Sequence, residues 1–418
     1  MATLVDLAAP LSIESARQHV HDEALTDSAV GPAGLEIETH LVDLTDASRR
    51  VEWARVQSAV AALDGLPAHS AVTVEPGGQI ELSGPPMPTV AAAITAMRHD
   101  SQRARLILAE LGLGLAHLGT DPLRVPRRIN PRPRYHGMEQ HFVATGRGDA
   151  GRQMMTSSAA LQVNLQAGPA DRWADRFALA QQLGPVLIAA SACSPWLSGS
   201  DTGWKSARQR AWAGLDPYTS GPLPAGDVPT QWAERAMRAP VMFTVGTDGA
   251  IRPVGRAVAF GDWVAGRVRL ADRGPTFADL GHHVTTLFPP VRPRGYLEIR
   301  YLDVTAPRWW PAVAALTTTL LDDPRAADLA AEATRPTSGL WTEAARDGLA
   351  DPRIGRAARQ CLAIAADRAP ANLSTAVADL AELVHAGRCP GDLLADRIAD
   401  VGPRAAFAEA AHAGGGRA

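Results

Sequence analysis

Residues 72–84, VTVEPGGQIELSG, decide the fold because they combine two alternating strands, a turn and two acidic residues. Pro-Gly-Gly at 76–78 supplies the turn chemistry, since proline fixes φ and glycine tolerates conformations that other residues avoid. Apolar and polar residues alternate on both sides, as is typical of strands with one buried face. The segment therefore predicts two strands joined by a tight turn or bulge, which Glu75 and Glu81 flank.

Three further apolar segments carry polar side chains two residues apart. They are GLEIETHLV (34–42) with Glu36 and Glu38, LQVNL (161–165) with Gln162 and Asn164, and YLEIRYL (296–302) with Glu298 and Arg300. Successive side chains of a strand point to opposite faces, so residues i and i+2 share a face. We therefore expect each polar pair on one face of a strand and the flanking Leu, Ile and Val on the other.

The five glutamates of these segments would repel one another and lose hydration on a shared face, so a counter-charge is required. A cation is expected, because Mg²⁺ prefers carboxylate, amide and water oxygens and commonly binds a substrate phosphate as well. The pattern favours phosphate chemistry. For any one pair alone, a solvated strand face or hydrogen bonding to neighbouring backbone is the alternative interpretation.

Composition limits the classes of function. The 418 residues are 46% apolar and 20% charged, which predicts a substantial core. A net charge of −3 gives no general attraction to nucleic acid or to an anionic membrane, so neither is an expected partner. Lys205 is the only lysine, which nearly excludes Schiff-base and P-loop mechanisms.

Cysteine usage and the start of the chain favour the cytoplasm. Cys193, Cys361 and Cys389 are far apart and form no CxxC motif, as in a reducing compartment. Residues 1–20 contain acids where a signal peptide needs an apolar core, and no apolar run is long enough to span a membrane. We expect a cytoplasmic protein.

Periodicity predicts an α+β protein. Strands are expected near 34–43, 71–84, 115–120, 158–167, 240–245 and 295–302, and helices near 51–63, 88–111, 170–192, 204–214 and 308–322. Beyond 323 the pattern is helical, with fraying expected over the last residues, 411–418. We expect a catalytic α+β domain at 1–323 and a helical portion at 324–418 packed on it, with one single domain as the alternative.

Two long irregular segments, 121–135 and 215–230, interrupt this pattern. Loops of this length often act as lids or binding loops. The first contains five arginines and is a candidate for contact with a polyphosphate, although a solvated basic loop explains the charge equally well.

Seven strings together resemble the plant-type (GCS2) glutamate-cysteine ligase family, most closely its actinobacterial branch, which serves ergothioneine biosynthesis. They are GLEIETH, VEPGGQIELSGPP, NPRPRYHGMEQ, MTSSAALQVNLQAG, GWKSARQRAW, LFPPVRPR and YLEIRYLD, in family order over about 31–303. The resemblance implies a curved, mainly antiparallel sheet of the glutamine-synthetase type with surrounding helices, whose concave face holds ATP, divalent ions and amino acids.

The activity implied by this resemblance is ATP-dependent formation of γ-glutamylcysteine from L-glutamate and L-cysteine through γ-glutamyl phosphate. Mg²⁺, with Mn²⁺ as an alternative, would bridge the phosphate oxygens. The implied metal ligands are Glu36, Glu38, Glu75, Glu81 and Glu298, with Gln162 at a position where related bacterial ligases carry a histidine.

Arginines complete the implied site, because a guanidinium matches a carboxylate or phosphate bidentately. Arg300 is expected to contact the transferring phosphoryl group or a substrate carboxylate and, with Glu298, to be catalytic. Arg208 is expected to bind an amino-acid carboxylate, with Arg210 as a second candidate. The remaining predicted substrate- or nucleotide-binding residues are Asn164, Arg134 and Tyr135.

Three alternatives stay open at this point. The same activation chemistry could serve another amine acceptor, since a small cleft for a thiol has no clear sequence signature. A non-catalytic descendant could bind nucleotide or amino acid as a regulator, although it would usually have lost some carboxylates. A metal-dependent hydrolase could use the same acids without a nucleotide. Sequence gives no oligomeric state.

Overall fold

The computed structural model describes residues 10–246 and 248–412. The residues at 413–418, where fraying is expected, lie outside this range. The described strands are β1 Ala33–Asp43, β2 Ala71–Val74, β3 Ile80–Ser83, β4 Leu113–Ala116, β5 Ala160–Gln166, β6 Trp196–Leu197, β7 Ser200–Asp201, β8 Phe243–Val245, β9 Ile251–Pro253, β10 Val291–Pro293 and β11 Tyr296–Asp303.

Helices make up most of the remaining regular structure. They are α1 Ile13–Asp22, α2 Trp53–Ala62, α3 Val90–Glu110, α4 Pro133–Ala144, α5 Gly148–Ser157, α6 Trp173–Gln182, α7 Gly184–Ser191, α8 Ala207–Ala213, α9 Pro217–Ser220, α10 Val228–Arg238, α11 Phe260–Val264, α12 Phe277–Val284, α13 Trp310–Asp322, α14 Pro324–Thr334, α15 Trp341–Arg346, α16 Pro352–Arg368, α17 Ser374–His385 and α18 Pro390–His412.

Seven strands form the main sheet in the order β10-β11-β5-β1-β3-β2, with β4 paired to the far end of β1. All pairings within it are antiparallel. Register places Glu38 opposite Glu81, Glu36 opposite Gln162, and Glu298 opposite Asn164. Directly paired residues share a face, so the polar pairs predicted from four separate segments lie on one face.

Helices cover both faces of the sheet. On the apolar face, α3, α7 and α13 pack against β1, β5 and β11, where Leu35, Ile37 and Val163 are fully buried. The C-terminal α18 packs against β4, although it is kinked at Gly402 and Pro403. The predicted α+β fold, an antiparallel sheet with surrounding helices, is confirmed.

The β2–β3 turn has the conformation that its sequence predicts. Gly78 has a φ of +86°, and a Cβ on Gly77 would lie 2.2 Å from the carbonyl oxygen of Thr156. Only glycine permits this close approach of two backbones. Pro76 accepts backbone hydrogen bonds from Asn130 and its neighbour, and the Asn130 side chain donates to the Val74 carbonyl at 3.0 Å.

The segment at 121–132 therefore supports this turn through hydrogen bonds and is not a free loop. Arg124, one of the five arginines at 121–135, is buried and pairs with Asp121 at 2.6 Å. Helix α4 begins at Pro133, and the sequence does not predict it because Pro131 and Pro133 lie at its start and Gly137 lies in its interior. Helix α10 is likewise absent from the predictions, because it begins inside the proline-rich segment 215–230.

Both predicted portions of the chain contribute to one hydrophobic cluster. It joins Leu35 and Ile299 of the sheet to Ala330, Leu362 and Leu380 of the C-terminal helices. The division at residue 323 stays a prediction. None of the described helices combines the length and apolar composition that a bilayer span requires.

Candidate active site

A cavity of about 340 Å³ lies over the polar face of the sheet. Its floor is formed by β1, β3, β5 and β11, together with the β2–β3 turn. Its other walls come from α4, α5, α8, α10 and α12, which contribute Tyr135, Met155, Trp212, Trp232 and Val284, respectively. The cavity is thus enclosed between the polar sheet face and a second layer of helices.

Four of the predicted acidic residues line this cavity. They are Glu36, Glu38, Glu75 and Glu81. Glu81 accepts hydrogen bonds from Thr73 Oγ1 at 2.7 Å and from Ser83 Oγ at 3.2 Å. Glu38 accepts from the backbone N–H of Ala160 at 2.8 Å, so its carboxylate is fixed against β5.

Burial and mutual repulsion raise the proton affinity of these carboxylates. Burial, followed by the charge of Glu81, raises the pKa of Glu38 to about 7. The same two causes raise the pKa of Glu36 and place that of Glu75 well above its ordinary value. A cation placed among these carboxylates would therefore be favourable.

The predicted amides fix the carboxylates of β1. Gln162 Nε2 donates to Glu38 Oε1 at 3.0 Å, and Asn164 Nδ2 donates to Glu36 Oε1 at 2.8 Å. The Gln162 oxygen accepts from Arg300 Nη1 at 2.6 Å. Asn164 Oδ1 is buried, and no described residue donates a hydrogen bond to it. Gln162 lines the cavity, whereas Asn164 lies below its surface.

Glu298, the fifth predicted acid, is at the centre of an arginine cluster. Arg292 donates to both of its oxygens, at 2.5 and 2.8 Å, and Arg294 and Arg300 approach to 3.3 and 3.1 Å. Burial would raise the pKa of Glu298, but Arg300 and Arg292 together hold it at about 2. The carboxylate is fully buried and is not among the residues that line the cavity.

These three arginines do line the cavity, together with the four acids. The guanidinium of Arg300 also lies over the rings of Phe288 and Trp212, 5.8 and 6.0 Å from their centroids. Hydrogen bonds to Glu298 fix the orientation of the three guanidinium groups. Their remaining N–H donors can therefore bind an anionic ligand in the cavity.

Arg134 and Tyr135, both predicted, lie in the first turn of α4 and line the cavity. Arg134 Nη2 donates to the carbonyl of Thr285 at 2.9 Å, which ties α4 to the end of α12. Burial, then the charge of Glu75, raises the pKa of Tyr135 to about 12, so its hydroxyl is neutral near pH 7.

Arg208 and Arg210, on α8, are placed differently from the expectation. Arg208 is buried, donates to the carbonyl of Arg300 at 2.8 Å and is not among the cavity-lining residues. Arg210 lies beside the Trp204 ring, 5.9 Å from its centroid, also outside the cavity lining. Their predicted contact with an amino-acid carboxylate stays a prediction.

Several cavity residues were not predicted as site residues. Arg292 and Arg294 lie in the quoted string LFPPVRPR, where three prolines hide the strand pattern of β10. Their spacing of two residues was an available signal, since it matches the spacing of the acid pairs. Trp212 and Phe288 give no comparable signal, because isolated aromatic residues usually indicate core packing.

The donor chemistry fits a hard divalent cation, because carboxylate oxygens with raised pKa values surround the cavity. Within residues 10–246 and 248–412, however, no three acidic, histidine or cysteine side chains already converge on one ion position. Mg²⁺ usually binds through one or two carboxylates plus waters and substrate phosphates. The carboxylates thus fit shared coordination with a bound nucleotide.

Comparison with known sequences identifies relatives over nearly the whole chain. The profile of Glutamate-cysteine ligase family 2 (GCS2) matches residues 33–415. The chain is 49% identical over 403 residues to Glutamate–cysteine ligase EgtA of Mycolicibacterium smegmatis, covering 96% of this chain and 95% of that protein. Over 313 residues it is 28% identical to chloroplastic glutamate–cysteine ligase of Arabidopsis thaliana, covering 73% and 58%.

Solved structures share the fold. A glutamate–cysteine ligase from Francisella tularensis in complex with AMP matches with a TM-score of 0.58 at 13% identity, covering 92% of this chain and 88% of that one. A bifunctional glutathione synthetase from Pasteurella multocida matches with a TM-score of 0.52 at 14% identity, covering 96% and 54%.

Proposed function

Because this chain belongs to glutamate–cysteine ligase family 2, we propose that the cavity on its sheet is where L-glutamate and L-cysteine are joined with ATP. The chain is an ATP-dependent glutamate–cysteine ligase, since the family profile spans most of it and the 49% identity extends over 96% of it. The observation that supports the location is a cavity lined by four glutamates together with Arg292, Arg294 and Arg300.

The proposed reaction has two steps. A side-chain carboxylate oxygen of glutamate attacks the γ-phosphorus of ATP, and ADP leaves. The amine of cysteine then attacks the γ-carbonyl carbon of γ-glutamyl phosphate, inorganic phosphate leaves, and the amine proton is lost. The product is γ-glutamylcysteine, which we propose feeds ergothioneine biosynthesis.

We propose that Glu36, Glu38, Glu75 and Glu81 hold Mg²⁺, with Mn²⁺ as an alternative. The raised pKa values of Glu36, Glu38 and Glu75 support this role, because a bound cation offsets both the burial and the mutual repulsion that raise them. The ion supplies charge neutralisation on the phosphate oxygens. Gln162 and Glu298 are weaker ligands in this proposal, since both already accept hydrogen bonds from Arg300.

We further propose that Arg300, Arg292 and Arg294 bind the transferring phosphoryl group or a substrate carboxylate. Phosphoryl transfer is catalysed mainly by positioning and charge stabilisation, and preorganised guanidinium groups provide both. The buried Glu298 anchors all three. Arg134 and Tyr135 are proposed to contact substrate from the opposite wall.

The test is ADP release by purified protein with ATP and Mg²⁺. We expect release to require both L-glutamate and L-cysteine, and mass spectrometry of the product to give γ-glutamylcysteine. A mixture of free amino acids in place of cysteine tests the acceptor. A product with another amine would change the acceptor assignment, and the absence of ADP under all conditions would overturn the proposed function.

A further inference from the structure

Strand β11 contains a β-bulge at the residue that carries the central guanidinium. Ile299 pairs with Val163, and Leu302 pairs with Leu161, so Arg300 and Tyr301 together oppose Gln162. Two residues on one strand thus face one residue on the other. Bulges bend a strand and redirect a side chain, and they are common next to active sites.

Because of the bulge, the side chains of Arg300 and Tyr301 lie in different environments. Arg300 points into the cavity, while Tyr301 points to the helical side and donates to the carbonyl of Ala180 in α6 at 2.9 Å. A bulge leaves some backbone N–H and C=O groups without a partner on the neighbouring strand. Each such group, when buried, needs a hydrogen-bond partner from elsewhere.

Two consecutive side chains of α8 supply these partners. Arg208 Nη2 donates to the Arg300 carbonyl at 2.8 Å, and Gln209 Nε2 donates to the Tyr301 carbonyl at 2.7 Å. The backbone N–H of Arg300 donates to the carbonyl of Pro290 at 2.9 Å. The irregular part of β11 is therefore held by α8 through its carbonyl groups and by Pro290, just before β10, through the N–H of Arg300.

Helix α8 is itself fixed to the strand just beyond the bulge. Its N-cap residue, Ser206, accepts from the N–H of Gln209 at 3.2 Å and donates to Asp303 Oδ1 at 3.0 Å. The other oxygen of Asp303 accepts from Ser194 Oγ at 2.6 Å and from the N–H of Cys193 at 2.9 Å. The position of α8 relative to β11 is thus set by fully buried hydrogen bonds.

We infer that Gln209 is a positioning residue for the ligase reaction, which holds the β11 bulge so that Arg300 reaches the substrates. This inference rests on the proposed function. A small cavity of about 20 Å³ beside Arg300 is lined by Gln209, Trp212 and Phe288, among others. Without the Gln209 amide, the bulge can relax and the guanidinium can withdraw toward this space.

The test uses Gln209→Met, which keeps side-chain length but removes the donor. We expect kcat to fall at least about tenfold, because small misplacements of a catalytic group are costly, while KM for ATP changes little. The far-ultraviolet circular dichroism and the thermal midpoint should show a folded protein. Should this variant fail to fold, Gln209→Leu gives the same comparison.

A double-mutant cycle with Arg300→Lys separates positioning from a general structural effect. If Gln209 acts through Arg300, adding Gln209→Met to Arg300→Lys should lower kcat less than twofold further. Equal losses in both backgrounds, or no loss from Gln209→Met alone, would overturn the inference. Inactive wild-type protein would instead refute the proposed function.

Gln181→Met is the matched control. The Gln181 amide also bonds backbone, donating to the Leu223 carbonyl at 3.0 Å and accepting from the Leu223 N–H at 2.7 Å, but it is not among the cavity-lining residues. Its kcat should equal that of the wild type. A loss in the control as large as that in Gln209→Met would remove the support for a specific role.

Discussion

At the scale of single residues, the acids of the cavity differ in what surrounds them. Glu298 is paired with arginines and has a depressed pKa, whereas Glu36, Glu38 and Glu75 have raised values. Similar side chains on the same sheet face therefore have different electrostatic environments. This difference supports the proposal that the three with raised values bind a cation and that Glu298 positions the arginines for an anion.

Glu81→Gln removes one charge from the cation-binding side. Since Thr73 and Ser83 can still donate to the amide oxygen, the fold should persist. We expect catalysis to fall by at least about tenfold, with a higher Mg²⁺ concentration needed for half-maximal rate. The exposed Glu110 gives the control, because Glu110→Gln should leave ADP release unchanged. Normal turnover of Glu81→Gln at low Mg²⁺ would exclude Glu81 as a ligand.

The raised pKa of Glu38 predicts a stability effect in metal-free protein. Its value is about 7 in the folded state and 4.5 ordinarily, so the native state binds more protons between these values. Unfolding free energy from this group therefore falls as pH rises through that window. Thermal midpoints in EDTA should show a flatter slope from pH 5 to 8 for Glu38→Gln than for the wild type. Parallel slopes would contradict the assigned environment.

At the scale of elements, the β2–β3 turn delivers Glu75 and Glu81 to the site. Gly77→Ala should disturb it, since the new Cβ would lie 2.2 Å from the Thr156 carbonyl oxygen. We expect the unfolding free energy to fall by about 1–3 kcal/mol. We also expect kcat/KM to fall, because the turn positions Glu75 and Glu81. Denaturant unfolding and ADP release measure the two effects.

Gly281→Ala is the control for this variant, because nothing lies within 4 Å of its ideal Cβ and it lies within α12. Alanine there should be neutral or stabilise by up to about 1 kcal/mol. A Gly77→Ala protein as stable and active as Gly281→Ala would show that the close approach is not needed.

The strands of the site were predictable because each carries a period of two within one short segment. Glu36 with Glu38, and Gln162 with Asn164, show their shared face without any knowledge of their neighbours. The bulge at Arg300 was not predictable, because it depends on the register between β11 and β5. Helix α4 was missed for a different reason, since Pro131 and Pro133 obscure the helical pattern at its start.

At the scale of the whole molecule, segments far apart in sequence form one cavity. Antiparallel pairing brings β1, β3, β5 and β11 together, and α8 adds support that the local pattern around Arg208 does not reveal. Sequence thus predicted the acids together with Arg300, while Arg292, Arg294 and the support from α8 required the fold. The result is a cavity lined by both acidic and basic side chains, as an ATP-dependent ligase needs.

The most direct test of this account follows oxygen from substrate to product. The protein is incubated with ATP, Mg²⁺, L-cysteine and L-glutamate carrying ¹⁸O in its side-chain carboxylate, and the released phosphate is examined by mass spectrometry. The account predicts one ¹⁸O in each phosphate, formed together with γ-glutamylcysteine. Unlabelled phosphate, or phosphate released at the same rate without cysteine, would contradict it.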